Sequence, residues 1–355
     1  MAKAVVGLSG GVDSAVAAYL LKEAGYEVIG VTLRTQTSAN RCCEIDDARE
    51  SAKILGIPYH SFDCSAQFTH KVVEPFIEDY LNARTPNPCV ICNRAVKWEY
   101  LLYCAKLFEA DFVATGHYAE VLRLTNGRYT VKKARYAEKD QTYMLDRLSQ
   151  EQLSKTLMPL FDKSKDEVRK IAKRIGLPVA DKPDSQEICF VAESKYADFI
   201  REHAGERQDK PGVFLDESGA VLGKHDGISR YTVGQRKGLG VALGYPAYVK
   251  RIDAATGKIL LGRGEDLLCK ALSVKDINFL SVPSPNAGDE INASVKVRYR
   301  HAGENAKIIA QTQDKLRVEF TSPVRFASPG QSAVFYDKDE CVLGGGIITN
   351  IEFQE

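Results

Sequence analysis

Two groups of residues in this chain have the types and the spacing that chemistry requires. The first is the run Ser9-Gly10-Gly11-Val12-Asp13-Ser14. Its glycines would let an anion approach the backbone, and the N–H groups at the start of a following helix favour negative charge. The second group is Cys89 and Cys92, spaced as CxxC. The chain therefore carries a candidate phosphate loop and a candidate thiolate site.

The phosphate loop is expected between a strand and a helix. Residues 4–8 form a short apolar run, and residues 14–24 are helix formers that end at Gly25. Asp13 could help to hold Mg²⁺ on bound phosphates. No Gly-Lys-Ser/Thr follows, so the run is not a Walker motif. The alternative is a glycine-rich turn without a ligand.

The cysteines leave several interpretations open. A CxxC pair can be a redox pair, half of a zinc site or two buried side chains. Adjacent Cys42 and Cys43 lack chelating spacing and are interpreted as incidental. Small buried hydrophobic side chains are predicted for Cys64, Cys104, Cys269 and Cys341.

Short apolar runs that alternate with helical patterns predict the frame that positions these residues. Strands are predicted at 4–8, 27–33, 58–62 and 112–116, and helices at 14–24, 44–55, 68–83 and 98–108. This alternation indicates an α/β fold with a doubly wound parallel sheet. Ligands of such sheets bind at the carboxyl ends of the strands.

Beyond about residue 205 the pattern changes. Residues 291–299 and 316–320 alternate apolar and polar side chains, which predicts a C-terminal β-barrel. The expected domains are 1–205, a small β-rich central domain at 206–280, and the barrel at 281–355. The polar face of 291–299 is basic, and it is either a solvated face or a surface for nucleic-acid phosphates.

The composition limits the class of protein. The chain has 355 residues, 44% hydrophobic and 27% charged, with a formal net charge of +1. A largely disordered chain is excluded, and any nucleic-acid contact must come from local basic patches. Without an apolar run of 18 residues, no membrane segment is expected, and we predict a cytoplasmic protein.

The run at 9–14 resembles the SGGxDS loop of the N-type ATP pyrophosphatases, the PP-loop superfamily. Five further segments resemble, over nearly the whole chain, the bacterial tRNA-specific 2-thiouridylase family of the MnmA type. They are 87–93 (NPCVICN), 115–118 (TGHY), 139–143 (KDQTY), 184–190 (DSQEICF) and 231–240 (YTVGQRKGLG).

The resemblance implies an adenine nucleotide alpha hydrolase-like fold and roles for matching residues. The residues implied to contact ATP are Gly7, Leu8, Ser9, Gly10, Gly11, Val12, Asp13, Ser14, Leu33 and Gly116. Those implied to contact tRNA are His117, Lys139, Asp140, Gln141, Arg298, Tyr299 and Gln331. Asn87, Pro88 and Cys89 would face the target base.

The implied reaction is adenylation of the C2 oxygen of the anticodon wobble uridine (position 34), then replacement of that oxygen by sulfur, with release of pyrophosphate and AMP. Cys92 would be the nucleophile and Cys189 the bearer of a persulfide, with Asp13 at the phosphates. ATP, Mg²⁺, tRNA and an upstream sulfur carrier or sulfide source are the implied ligands and partners, and neither DNA nor a membrane is expected.

Cys89 departs from the family pattern, which has Asp at this position, so a role of that Asp cannot be transferred. The departure makes Cys89, Cys92 and Cys189 candidate cluster ligands, and iron-bound sulfide stands beside a persulfide as the sulfur source. Two rival functions are another PP-loop adenylating ligase or amidotransferase and a catalytically silent RNA-binding protein.

Overall fold

The computed structural model describes residues 1–35, 45–183, 188–191, 196–205, 207 and 209–354. Cys42 and Cys43 lie outside the described residues, as do positions 184–187 of one motif. No helix in the described ranges is long and apolar enough to cross a membrane.

The N-terminal part is built on a sheet of five parallel strands in the order β3-β2-β1-β4-β7. These strands are β1 (Lys3–Gly7), β2 (Glu27–Arg34), β3 (Tyr59–Asp63), β4 (Phe112–Ala114) and β7 (Thr156–Leu157). The predicted parallel α/β sheet is confirmed. Strand β1 is central because its residues Ala4, Val5 and Val6 are apolar and fully buried.

Helices cover both faces of the sheet. They are α1 (Val12–Glu23), α2 (Ile45–Leu55), α3 (Ser65–Phe68), α4 (Glu74–Leu81), α5 (Pro88–Cys92), α6 (Glu99–Leu107), α7 (Gln150–Ser154), α8 (Lys165–Arg174) and α9 (Tyr196–His203). Helix α1 ends as predicted before Gly25, which has a φ of 86°.

Two of the helical segments are longer than predicted. A π-helical turn, Thr69–Val73, joins α3 to α4, and a second, Asn93–Trp98, joins α5 to α6. The second composite helix begins at Pro88 rather than at residue 98, because Asn87 caps its start and proline suits the first helical position. The CxxC spacing is therefore helical.

The C-terminal half is β-structure. An antiparallel hairpin, β5 (Ala119–Arg123) and β6 (Tyr129–Lys133), precedes it. The central four-stranded sheet has the order β10-β11-β8-β9. Its strands are β8 (Gly212–Leu215), β9 (Val221–His225), β10 (Tyr248–Asp253) and β11 (Lys258–Gly262).

Six antiparallel strands close into the C-terminal barrel, in the order β12-β15-β14-β13-β16-β17. They are β12 (Leu268–Phe279), β13 (Glu290–Lys296), β14 (Glu304–Thr312), β15 (Lys315–Arg325), β16 (Ser332–Tyr336) and β17 (Val342–Phe353). The barrel therefore begins at Leu268, earlier than the expected boundary at 281. Pro283 and Pro285 lie in the loop between β12 and β13, within the barrel.

The sheet and the barrel share a hydrophobic core. Buried Val5 of β1 and Val113 of β4 belong to the same cluster as Leu280, Val334 and Val342 at the barrel. The opposite face of the sheet packs on α1, α2 and α8. The barrel is thus a structural continuation of the N-terminal half.

Candidate active site

The loop between β1 and α1 is held in shape by its own hydroxyl groups. The Ser9 amide donates to Ser14 Oγ at 3.1 Å, and Ser14 Oγ donates to the Gly11 carbonyl at 3.0 Å. Gly10 has a φ of 74°, which favours glycine. Helix α1 starts at this loop without a side-chain cap. The helix start can therefore receive an anion.

Gly116 lies directly against this helix start. A Cβ at Gly116 would come within 2.6 Å of the Ser14 amide nitrogen and 2.7 Å of the Asp13 carbonyl carbon. The loop after β4 thus approaches the phosphate loop closely, which only a residue without a side chain permits. Gly116 thus lies beside the loop at 9–14, and the contact of these residues with ATP stays a prediction.

Two lysines that the sequence analysis did not select also reach this loop. Lys165 Nζ lies 2.8 Å from both carboxylate oxygens of Asp13, which also accepts from the Tyr118 hydroxyl at 2.7 Å. Lys182 Nζ lies 3.3 Å from the Gly10 carbonyl and 2.7 Å from Asp47 Oδ2. Lys182 lies two residues before the motif at 184–190, but Lys165 lies in none of the motifs, so packing had to reveal them.

The CxxC pair occupies the first turns of the helix that starts at Pro88. Asn87 Oδ1 accepts from the Cys89 amide at 3.2 Å, which caps the helix, and Asn87 Nδ2 lies 3.3 Å from Met144 Sδ. Cys89 is half-buried, and Cys92 is buried with 8% of its surface exposed. A helix start favours the thiolate form of a cysteine, so the location suits nucleophilic sulfur.

Cys92 and Cys189 belong to the same apolar cluster, alongside Phe68 and Phe190. Leu33, at the end of β2, packs against this cluster and against the core shared with the barrel. Leu33 thus connects the sheet to the cluster that contains the two cysteines. The candidate cysteines therefore lie near the end of the sheet that carries the phosphate loop.

Cys89 lies toward the barrel. Burial raises the pKa of Tyr299, and the nearby charges of Asp140 and Cys89 raise it further. Across the described residues, no three His, Cys, Asp or Glu side chains are grouped so that they could hold a metal ion. Cys89, Cys92 and Cys189 therefore do not form a three-ligand set in this arrangement.

The four cysteines that were predicted to be structural are buried. Burial raises the pKa of the Cys104 and Cys269 thiols to about 12 and that of Cys341 to about 11. Cys64 donates from Sγ to the Arg34 carbonyl at 3.2 Å. Thiols with raised pKa values are poor nucleophiles, which agrees with a packing role.

Gln331 connects the barrel to the cysteine helix. Its Nε2 donates to the Thr85 carbonyl at 2.7 Å, and the Thr85 amide donates to the Pro329 carbonyl at 2.7 Å. Thr85 lies two residues before the Asn87 cap. The barrel thus fixes the chain that leads into the CxxC helix.

Arg298 is turned toward the central domain. Its Nη2 donates to the Val233 carbonyl at 2.7 Å, and its guanidinium lies 5.9 Å from the centre of the Phe326 ring. Its Nε is buried without a hydrogen-bond partner, and burial lowers its pKa. Through these contacts Arg298 joins the barrel to the central domain. Its contact with tRNA stays a prediction.

The segment 139–141 is anchored inside the protein. Asp140 is 7% exposed and accepts from the Thr142 hydroxyl and from the amides of Thr142 and Ala134. Gln141 Oε1 accepts from the Tyr118 amide at 2.9 Å. Lys139 ends a short 3₁₀ turn and is half-buried. Asp140 and Gln141, both predicted to contact tRNA, thus have internal partners.

His117 follows Gly116 at the end of β4. Its Nδ1 lies 2.9 Å from Thr115 Oγ1, and its ring centre lies 5.5 Å from that of Trp98. Burial, with a smaller effect of the Lys97 charge, lowers the pKa of His117 to about 3. The imidazole is therefore neutral at physiological pH, and it can bind a substrate by hydrogen bonds but not as a cation.

Family models match the chain in three parts. They are described as a tRNA methyl transferase HUP domain at residues 2–193, a tRNA methyl transferase PRC-barrel domain at 197–263 and an aminomethyltransferase beta-barrel domain at 269–348.

Similar proteins cover the whole chain. A tRNA-specific 2-thiouridylase MnmA from Lachnoclostridium phytofermentans is 48% identical over 98% of this chain and 100% of its own length. One from Acetivibrio thermocellus is 47% identical over 98% of this chain and 99% of its own. The solved U34-tRNA thiolase NcsA from Methanococcus maripaludis is 23% identical, with a TM-score of 0.36, over 58% of this chain and 68% of that one. A structural similarity this low supports no conclusion about ligands.

Proposed function

The chain belongs to the family of tRNA-specific 2-thiouridylases of the MnmA type, and from this we propose that it adenylates the wobble uridine of tRNA and exchanges its C2 oxygen for sulfur. The observation that carries this proposal is the position of Leu33, which links the end of the sheet that bears the phosphate loop to the cluster of Cys92 and Cys189. A tRNA substrate would place the reaction in the cytoplasm.

ATP would lie with its phosphates against the loop 9–14 and the start of α1. The amides of that turn and the hydroxyls of Ser9 and Ser14 supply donors, and the close approach of Gly116 fixes the turn. Mg²⁺ usually binds one or two carboxylates together with substrate phosphates, and Asp13 fits that role at this loop. Bound there, Mg²⁺ would neutralise phosphate charge.

In the adenylation step, the uridine C2 oxygen attacks the α-phosphorus and pyrophosphate leaves with the bonding electron pair, while the N3 proton is lost to solvent. The target base would lie at Asn87, Pro88 and Cys89, where the cap and the contact to Met144 hold the backbone. Adenylation makes the former C2 oxygen part of AMP, which is a good leaving group.

In the sulfur step, a persulfide on Cys189 attacks C2 and AMP departs. The Cys92 thiolate then attacks the Cys189 sulfur, which forms a Cys92–Cys189 disulfide and leaves the outer sulfur on C2. Both cysteines belong to one cluster, which supports this exchange. An external thiol must reduce the disulfide, and an upstream sulfur carrier or sulfide source must reload Cys189.

A [4Fe–4S] cluster on Cys89, Cys92 and Cys189 is the alternative source of sulfur. The three side chains do not fit a common metal site as arranged, so no step is assigned to a cluster. Iron and sulfide analysis of anaerobically prepared protein decides between a cluster and a persulfide on Cys189 as the source of sulfur. A fully active, iron-free enzyme excludes the cluster, whereas activity that follows iron content contradicts the persulfide route.

The function is tested by an assay of AMP release with and without unmodified tRNA, followed by mass spectrometry of the tRNA nucleosides. We expect AMP only when tRNA is present, and 2-thiouridine at the wobble position. Adenylation without tRNA would indicate another adenylating ligase, and no AMP a silent RNA-binding protein. Methylated uridine would instead support the transfer reaction in the family-model descriptions.

A further inference from the structure

The phosphate loop is flanked by two ammonium groups that the reaction described above does not use. Lys165 is paired with Asp13 within the loop, and Lys182 lies at the Gly10 carbonyl and at Asp47 of α2. The Lys165 side chain is 12% exposed and that of Lys182 is 27% exposed. Two partly desolvated cations therefore lie at one anion-binding turn.

The position of Lys165 is unfavourable for its own helix. It is the first residue of α8, and the positive end of a helix disfavours a cation. Ser164 and Glu167 already form a capping box there, so helix stability does not require Lys165. A role outside the helix accounts better for a lysine at this position.

The backbone around both lysines is fixed against the loop. Helix α8 packs on α1 through the apolar side chains Val168 and Ala172. Arg169 of α8 donates to the Lys182 carbonyl at 3.4 Å, which links the two lysine-bearing segments. Both ammonium groups are thus positioned before any ligand binds, which limits the cost of reorganisation.

We propose that Lys165 and Lys182 bind the β- and γ-phosphates of ATP and stabilise the pyrophosphate that leaves during adenylation. This inference rests on the proposed function, because it assumes ATP at the loop. When the bond between the α-phosphorus and its bridging oxygen breaks, negative charge grows on pyrophosphate. Preorganised cations at that position lower the barrier, and their pairing with Asp13 and Asp47 holds them there.

The test compares the binding of inorganic pyrophosphate and of AMP to Lys165→Gln and Lys182→Gln in the full chain. We expect each variant to bind pyrophosphate at least about 10-fold more weakly and AMP unchanged. The rate of tRNA-dependent AMP formation should fall roughly 100-fold. Lys165→Arg, which keeps the charge, should retain pyrophosphate binding.

Lys173→Gln is the matched control, because Lys173 is on the same helix but pairs with Asp181 at 2.7 Å. It should behave as the wild type does. Unchanged pyrophosphate affinity in both Gln variants would overturn the inference, as would an equal loss of AMP and pyrophosphate binding, which indicates a structural role. If the wild type itself forms no AMP, the proposed function fails, and this inference fails with it.

Discussion

Cys92 and Cys189 differ from Cys104 and Cys269 in what surrounds them rather than in residue type. They share a cluster with Phe68 and Phe190 beside the capped helix start, whereas burial in the core raises the pKa of Cys104 and Cys269. Reactivity at the residue scale is therefore set by location, as expected when the thiolate is the reacting form.

Replacing Cys92 should stop the reaction after sulfur has reached the base. We expect Cys92→Ser to accumulate a tRNA–protein adduct through Cys189, because nothing then attacks the Cys189 sulfur. The adduct should appear as a slower band on a denaturing gel and disappear with a reducing agent. Cys104→Ser should form none. Normal turnover by Cys92→Ser would contradict the assigned role.

His117 should make the protein less stable in mild acid. The unfolded histidine binds a proton as the pH falls through about 6.5, but the folded residue does so only near its pKa of about 3. The unfolded state therefore binds more protons between these values, and the free energy of unfolding decreases as the pH falls. His117→Gln should lose less stability than the wild type between pH 7 and pH 5.

Urea denaturation at the two pH values measures this difference. His70→Gln is the control, because that side chain is exposed, and it should keep the pH dependence of the wild type. The same pH dependence in His117→Gln and the wild type would show that His117 is not the residue responsible.

At the scale of elements, the site depends on one close approach between the loop after β4 and the start of α1. We expect Gly116→Ala to displace the Asp13–Ser14 backbone, since the new Cβ would meet it at 2.6 to 2.7 Å. Adenylation should fall roughly 100-fold, because small displacements in a preorganised site are costly. The rate of AMP formation measures the effect.

Gly264→Ala is the matched control, because it adds the same methyl group at a glycine that has room for it. A Cβ at Gly264 meets only Tyr248 at 3.6 Å, an ordinary contact, and the φ of Gly264 is −61°. This variant should keep full activity. Equal activity of both alanine variants would mean that the close approach does not shape the phosphate loop.

The sequence predicted the elements whose signals are local. The phosphate loop, α1 and the strands β1 to β4 follow from neighbouring residues, so their positions were predicted to within a few residues. The short edge strand β7 was not predicted. Lys165 and Lys182 were missed because their location depends on how α8 packs against α1. The segment that forms strand β12 was assigned to the central domain rather than to the barrel. It belongs to the barrel because it pairs with β15 and β17, and this pairing cannot be seen in the local sequence.

At the scale of the whole molecule, Arg298 and Arg300 have different surroundings, although both lie just after β13, which ends at Lys296 and not at the predicted residue 299. Arg298 bonds to Val233 of the central domain, whereas Arg300 is exposed. We expect Arg298→Ala to lower the free energy of unfolding by about 1 to 3 kcal/mol, through loss of a charged hydrogen bond. Its tRNA affinity should fall as well, with ATP affinity intact.

Arg300→Ala should weaken tRNA binding without a loss of stability. If Arg300 contacts a phosphate, the slope of log affinity against log salt concentration should decrease by about 1. Binding titrations over a range of salt, together with urea denaturation, measure both variants. If both variants lose the same stability and the same tRNA affinity, the contact with the central domain and the contact with tRNA are not made by different arginines.

The core that joins the sheet to the barrel also has a consequence for synthesis of the protein. Val342 of β17 belongs to the same core cluster as Val5 of β1, although more than 300 residues separate them. The ribosome therefore makes the phosphate loop well before the strand that helps to complete the core beneath the sheet. Until β17 has been made, part of one apolar face of the sheet stays uncovered, and a premature stop codon in the barrel should remove adenylation together with tRNA binding.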